Sequence, residues 1–292
     1  MKPLSLRTKL EEILQARRIH GGVLNLWVAS LGVRLSRVPI PSRHLRLLVF
    51  KTLYGKKYPA LDEGELEQPL WSFRSLNALF TRGVRPECRP ISAAVNQFLC
   101  PCDSRVQDMG QLERDRLLTV KGTEYTLNSL LPGLDGGKFE GGHFAILFLS
   151  PSDCHRVFSP QEALLEEVIH VPGRRLLVHP PYQKKEYPVF SLNERVILNF
   201  STPLGRCVLV MVAGWGVGHI TLLFDRGFRR HRRRITRRTY DDPIAFNKGE
   251  WLATFELGST VILLTEPAEQ SIAQVSREDK VKYGQPLFSF GH

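Results

Sequence analysis

Near its C-terminus the chain reads Phe255-Glu256-Leu257-Gly258-Ser259-Thr260-Val261-Ile262. This places a hydroxyl directly after the least hindered peptide carbonyl a chain can offer. Glycine reaches backbone angles closed to other residues, as a strained turn at a reactive bond requires. Attack of the Ser259 hydroxyl on the Gly258 carbonyl would turn the amide into an ester. β-Elimination and loss of ammonia would then break the chain and leave a pyruvoyl group on the new N-terminus. Such a carbonyl can form a Schiff base with an amine and drain electrons from a carbanion. The competing reading is an ordinary strand that contains Gly-Ser-Thr, and the tripeptide alone does not separate the two.

The residues around this segment predict how it is held. Short β-prone runs bounded by Gly, Pro or Asn cover 144–149, 195–200, 207–212 and 260–264. No alternation of strands with helices accompanies them, so a mostly antiparallel, β-rich domain is expected, with helices in front of it. The fold class is therefore α+β, with N-terminal amphipathic helices over 1–88 and a β-rich domain over 89–292. The connection falls within 85–94. Leu24, Trp27, Val28, Leu31 and Leu35 recur at helical spacing, followed by Arg34 and Arg37. A second helix is expected from Ser42 as N-cap, with Leu45, Leu48, Val49 and Leu53 amid Arg43, Arg46, Lys51, Lys56 and Lys57. A third is expected to start at Ser72, with Phe73, Leu76, Leu79 and Phe80 on one face.

An apolar stripe with a cationic rim suits a helix lying in a membrane interface, and also an ordinary helix covering a core. The best apolar run, 23–33, is shorter than the roughly 20 residues of a spanning helix. The net charge of +11 points to an anionic partner, membrane or nucleic acid. The densest charge is Arg229-Arg230-His231-Arg232-Arg233-Arg234 with Arg237 and Arg238. It lacks interleaved aromatics for stacking on bases, so membrane contact is the better functional reading, beside that of a solvated loop. Five cysteines read as free thiols, because Cys100 and Cys102 are too close for the usual zinc spacing. No metal site is expected, His143, His170 and His179 sharing no ligand spacing, and no secretory leader is expected.

The chain resembles the phosphatidylserine decarboxylase proenzymes, pyruvoyl-dependent enzymes of phospholipid synthesis. The resemblance rests on blocks in register along the sequence: Phe73-Arg74-Ser75-Leu76-Asn77, Arg89-Pro90-Ile91, Pro101-Cys102-Asp103-Ser104, Ser150-Pro151-Ser152-Asp153-Cys154-His155, Asn193-Glu194-Arg195, Leu257-Gly258-Ser259-Thr260 and Gly284-Gln285-Pro286-Leu287. It implies cleavage between Gly258 and Ser259 into a long β chain and a short α chain. The α chain would carry a covalent pyruvoyl cofactor made from Ser259. It implies Asp103 and a histidine activating Ser259, and His155 acting in decarboxylation.

In this family the histidine segment reads His-x-x-His, and here Phe158 occupies the second position. The residue that the resemblance links to self-cleavage is thus missing. His155 doing both jobs, His219 replacing the lost base, and a non-processing, lipid-binding relative all remain open. So does a decarboxylase of a related serine-headed lipid. Expected partners are a phospholipid substrate, an anionic membrane surface touched through Trp27, Arg34 and Arg46, and the two chains of one precursor. A homodimer is an open option and nucleic acid is not expected. The expected location is peripheral, on the cytoplasmic face of a bacterial-type cell membrane.

Overall fold

The computed structural model describes residues 31–52, 61–113, 116–118, 122–179, 183, 188–215, 219–231, 233–256, 259–268 and 271–291. Trp27 and Gly258 lie outside these residues. An eight-stranded sheet organises the chain, in the order β11-β7-β8-β9-β13-β5-β2-β15, with every pair antiparallel. Its strands are β2 (Ser104–Gln111), β5 (His143–Leu149), β7 (Ala163–Val171), β8 (Arg195–Thr202), β9 (Gly205–Ala213), β11 (Thr236–Phe246), β13 (Ser259–Thr265) and β15 (Lys280–Val281). A three-stranded sheet has the order β10-β12-β6, formed by His219–Leu222, Trp251–Glu256 and Arg156–Phe158. Another has the order β1-β16-β14, formed by Gln97–Leu99, Pro286–Phe290 and Ser271–Ala273. The hairpin of β3 (Arg116–Leu118) and β4 (Glu124–Thr126) stands apart from these.

The central strands of the eight-stranded sheet are buried on both faces. Along β13, Val261 and Leu263 enter one apolar cluster with Phe98, Ile220, Phe255 and Phe288 of the smaller sheets. Ile262 and Leu264 enter a second with Tyr125, Leu130, Phe139 and Phe190. Successive strand residues point to opposite faces, so a strand covered on both sides reads as a continuous apolar run. A separate cluster of Phe50, Leu66, Leu70, Phe73, Leu79 and Phe80 holds the helical region together.

Helix Arg43–Phe50 starts where the sequence places it, with the Ser42 hydroxyl accepting from the Leu45 N–H. The helix expected from Ser72 begins later. Ser72 instead closes a 3-10 turn by donating its hydroxyl to the Pro69 carbonyl at 2.7 Å. Phe73 is extended, and Ser75 caps helix Leu76–Phe80 by accepting from Ala78 N–H at 3.0 Å. The arginine run also differs from a simple loop. Arg237 and Arg238 belong to edge strand β11, where they pair with Glu167 and Asp225.

Candidate active site

The chain crosses from one sheet to another immediately before Ser259. Strand β12 ends at Glu256 in the three-stranded sheet, and β13 begins at Ser259 in the centre of the large one. Ser259 faces Leu149 of β5 on one side and Ala213 of β9 on the other. It is wholly buried, and among the described residues neither its Oγ nor the neighbouring Thr260 Oγ1 has a hydrogen-bond partner. A buried hydroxyl without a partner loses its hydration uncompensated, so two in succession at one strand end need a reason.

Asn193, which the sequence marked only within a block, fixes the adjacent strand. Its amide donates to the carbonyls of Leu176 and Ala213 and accepts from the Leu176 N–H, each at 2.9 Å. Ala213 is the residue opposite Ser259, so this buried side chain clamps the wall of the site.

The β5–β6 connection delivers His155 to the same end of the sheet, since Leu149 lies beside Ser259. The turn is stiffened by Asp153, whose carboxylate accepts from Ser150 N–H at 2.7 Å. The His155 carbonyl accepts from Phe255 N–H at 2.9 Å, tying the turn to β12. The imidazole is fully buried with its centroid 3.9 Å from that of Phe80. Its Nδ1 lies 3.0 Å from the Asp153 carbonyl, and Nε2 has no partner among the described residues. Burial, with a smaller contribution from Arg82, pushes its pKa down to about 3. The ring is therefore neutral near pH 7. An Nδ1–H donated to the carbonyl leaves the Nε2 lone pair free to accept a proton.

Asp103 is held elsewhere. Its carboxylate accepts from Arg89 Nε at 2.9 Å, from Arg89 Nη2 at 2.5 Å and from the Tyr283 N–H at 2.9 Å. Arg89 also donates to Glu65 at 2.7 Å. The hydrogen bond from Arg89, joined by Lys282, holds the Glu65 carboxyl down at about 2. Burial works against the Arg89 charge, but hydrogen bonds to Asp103 and Glu65 raise its pKa above the ordinary value. Among the described residues no hydrogen bond joins Asp103 to His155 or Ser259. Phe158 stacks on Tyr283 with centroids 3.8 Å apart, so position 158 abuts the residue whose amide binds Asp103.

Arg89 and Asp103 side chains are only 3% and 7% exposed. Arg89→Met should therefore cost about 3–5 kcal/mol in denaturant unfolding, because it strands a buried carboxylate. A loss below about 1 kcal/mol would show that water solvates Asp103 after all.

His219 stands differently from His155. It is exposed, lies opposite Glu256 in the β10–β12 ladder, and its ring accepts from the Arg230 guanidinium. Burial and then the Arg230 charge lower its pKa. Asp103, Asp153, Arg82, Arg89, Lys280 and Lys282 line a cavity of about 260 Å³. There burial and the nearby Asp103 raise the Asp153 pKa. No cluster of three metal-ligating side chains occurs among the described residues. Arg34 is exposed and Arg46 half-buried, its Nη2 donating to the Pro41 carbonyl at 3.4 Å.

The sequence matches the phosphatidylserine decarboxylase family model over residues 76–289. A protein of Bordetella petrii is 36% identical over 213 residues, 71% of this chain and 74% of its own length. One from Escherichia coli is 35% identical over 241 residues, covering 79% and 75%. One from an Anaeromyxobacter species is 33% identical over 266 residues, covering 86% and 89%. All three carry the name phosphatidylserine decarboxylase proenzyme.

Proposed function

The chain belongs to the phosphatidylserine decarboxylase family, and from that premise we propose that it is a self-processing proenzyme converting phosphatidylserine to phosphatidylethanolamine and carbon dioxide. What carries the reading is a trio of fully buried atoms with no hydrogen-bond partner among the described residues, Ser259 Oγ, Thr260 Oγ1 and His155 Nε2. Other buried polar atoms also lack partners, but these three gather at one end of the large sheet beside the Gly258–Ser259 bond, where unpaired groups suit chemistry.

His155 takes the Ser259 proton on Nε2 while Oγ bonds to the Gly258 carbonyl carbon. The C–N bond then breaks, and the proton passes to the departing amine. Asn193 and the two flanking strands keep Ser259 still through this shift. Elimination across the Ser259 Cα–Cβ bond releases the Gly258 carboxylate, and exchange of nitrogen for water oxygen releases ammonia. The pyruvoyl group would keep the Cα, Cβ and carbonyl carbon of Ser259, its keto oxygen coming from water, and the buried start of β13 would hold it. That group supplies an electron sink once an amine is attached. Arg82, Arg89, Lys280 and Lys282 with Asp103 and Asp153 give the cavity charges of both signs, matching a headgroup with ammonium, carboxylate and phosphate. His155 follows Asp153 and Cys154 of the cavity lining, and an anionic group brought beside its ring would favour the charged form, so that the ring could hold the proton later given to the substrate carbon.

The enzyme works from the membrane surface, reached through the N-terminal helices and their arginines. Among the described residues no helix is long and apolar enough to cross a bilayer. Leu31, Leu35, Leu45 and Leu48 are 46–64% exposed beside Arg34 and Arg43. The cytoplasmic face of a bacterial-type membrane is the expected side.

Intact mass decides the central claim. The purified protein should separate into two pieces, the small one beginning at residue 259 and lighter than its encoded mass by one ammonia. A single unprocessed mass would favour the lipid-binding relative, for which Phe158 and the engagement of Asp103 by Arg89 speak.

A further inference from the structure

The strand registers place one row across the large sheet, Thr236–His170–Val196–Met211–Val261–Leu147. Beyond that row, at one end, lie Ser259, the His155 turn, the segment after Ala213 and the loop leading into β11. The arginine run is therefore at the rim that holds Ser259. Arg230 contacts His219, His219 faces Glu256, and Glu256 receives the guanidinium of Arg37. That chain of contacts brings the segment over 31–38 to the same rim.

The exposed side chains there share one chemistry. Arg229, Arg233 and Arg234 are exposed and have no carboxylate partner among the described residues. The acids nearby are already committed, Glu256 to Arg37 and Glu194 to Arg175 and His170. Apolar groups stand among the cations, with Ile235 51%, Leu35 60% and Val38 54% exposed. Unpaired arginines mixed with large apolar side chains match the headgroup level of an anionic bilayer.

We propose that Arg229, Arg233, Arg234 and Ile235, ahead of β11, form a second membrane-docking element, which joins the N-terminal segment in setting the Ser259 end of the sheet against an anionic lipid surface. Two attachments at the rim restrict its orientation, which one helix alone leaves free to rotate. The choice of lipid as partner rests on the reading above, whereas the convergence of the two elements does not.

The test compares the full chain with an Arg229→Gln, Arg233→Gln, Arg234→Gln variant in sedimentation with vesicles. One set contains a quarter phosphatidylglycerol in phosphatidylcholine and the other phosphatidylcholine alone. Each arginine at the surface contributes roughly fivefold to anionic binding, so the variant should bind on the order of a hundredfold more weakly at moderate salt. Binding to the neutral vesicles should not change, and the difference should vanish near 1 M salt, where the screening length is roughly 3 Å. Equal binding of both proteins to the anionic vesicles overturns the proposal. Displacement of the parent protein from vesicles by an equal charge of duplex oligonucleotide also overturns it, in favour of a nucleic-acid surface. The variant should form the same two fragments on a gel, which shows that it is folded. If neither protein is cleaved but the vesicle difference persists, the processing reading fails and the docking proposal stands.

Discussion

Ser259→Ala should leave one band at the full 33.3 kDa on a denaturing gel, and the protein should be no less stable than its precursor. The first result follows from removing the nucleophile, for which no other side chain at the start of β13 substitutes. Thr260, the neighbouring hydroxyl, faces Val212 and Phe148 and follows a different peptide bond. The second result is less usual. Deleting a buried group normally destabilises, but Ser259 Oγ has no partner among the described residues. Its removal abolishes a desolvation cost of about 1–3 kcal/mol while leaving the strand pairings intact. A cleavage-dead variant that melts at or above the uncleaved parent would mark Ser259 as a group kept at the expense of stability. Two fragments from Ser259→Ala would reduce the cut to ordinary proteolysis. A clearly lower melting temperature would mean that the hydroxyl has a structural partner.

His155→Asn should slow cleavage by roughly 10²–10⁴-fold, the usual contribution of a positioned base. Asparagine retains a donor for the Asp153 carbonyl, so the turn can persist while the Nε2 lone pair is lost. His219→Ala should process at the parental rate, because the exposed His219 ring is engaged by Arg230. The reverse pair of outcomes would make His219 the base. The pH profile adds a check. With a His155 pKa of about 3 the ring is already neutral at pH 5, so its titration leaves the cleavage rate flat between pH 5 and 8. Stability should behave otherwise. The folded pKa is depressed below the ordinary 6.5, so at acid pH the unfolded chain binds a proton that the folded one refuses. The stability contributed by a neutral His155 is present above about 6.5 and is lost progressively as pH falls toward 3.

Much of this was written locally in the chain. The apolar runs over 144–149, 195–200, 207–212 and 260–264 became β5, β8, β9 and β13 with ends moved by at most two residues. Each is buried on both faces, so its hydrophobicity alone announces it. The N-cap at Ser42 was legible for the same local reason, a hydroxyl before an amphipathic stretch. Ser72 and Ser75 look alike in sequence, and only the extended Phe73 between them decides which starts the helix. Strand β11 hid beneath arginines, because an edge strand exposes most of its side chains and shows no apolar alternation. The partnership of Asp103 with Arg89 and with the amide of Tyr283, 180 positions away, leaves no local mark at all. A carboxylate expected to orient a histidine is, in the fold, an arginine's counter-ion.

The placement of β13 between β5 and β9 has a consequence for the lifetime of the mature protein. If the peptide bond before Ser259 is cut, the strand pairings would keep the short piece woven through its neighbour by β13, by β15 on β2 and by β16 on β1. Unfolding then ceases to be the melting of one molecule and becomes a dissociation of two. The precursor folds in a unimolecular step that no dilution can weaken, whereas the separated pieces could reunite only in a bimolecular one. Such a cut would convert a reversible thermodynamic state into one whose persistence is governed by the rate at which a central strand can be drawn out of its sheet.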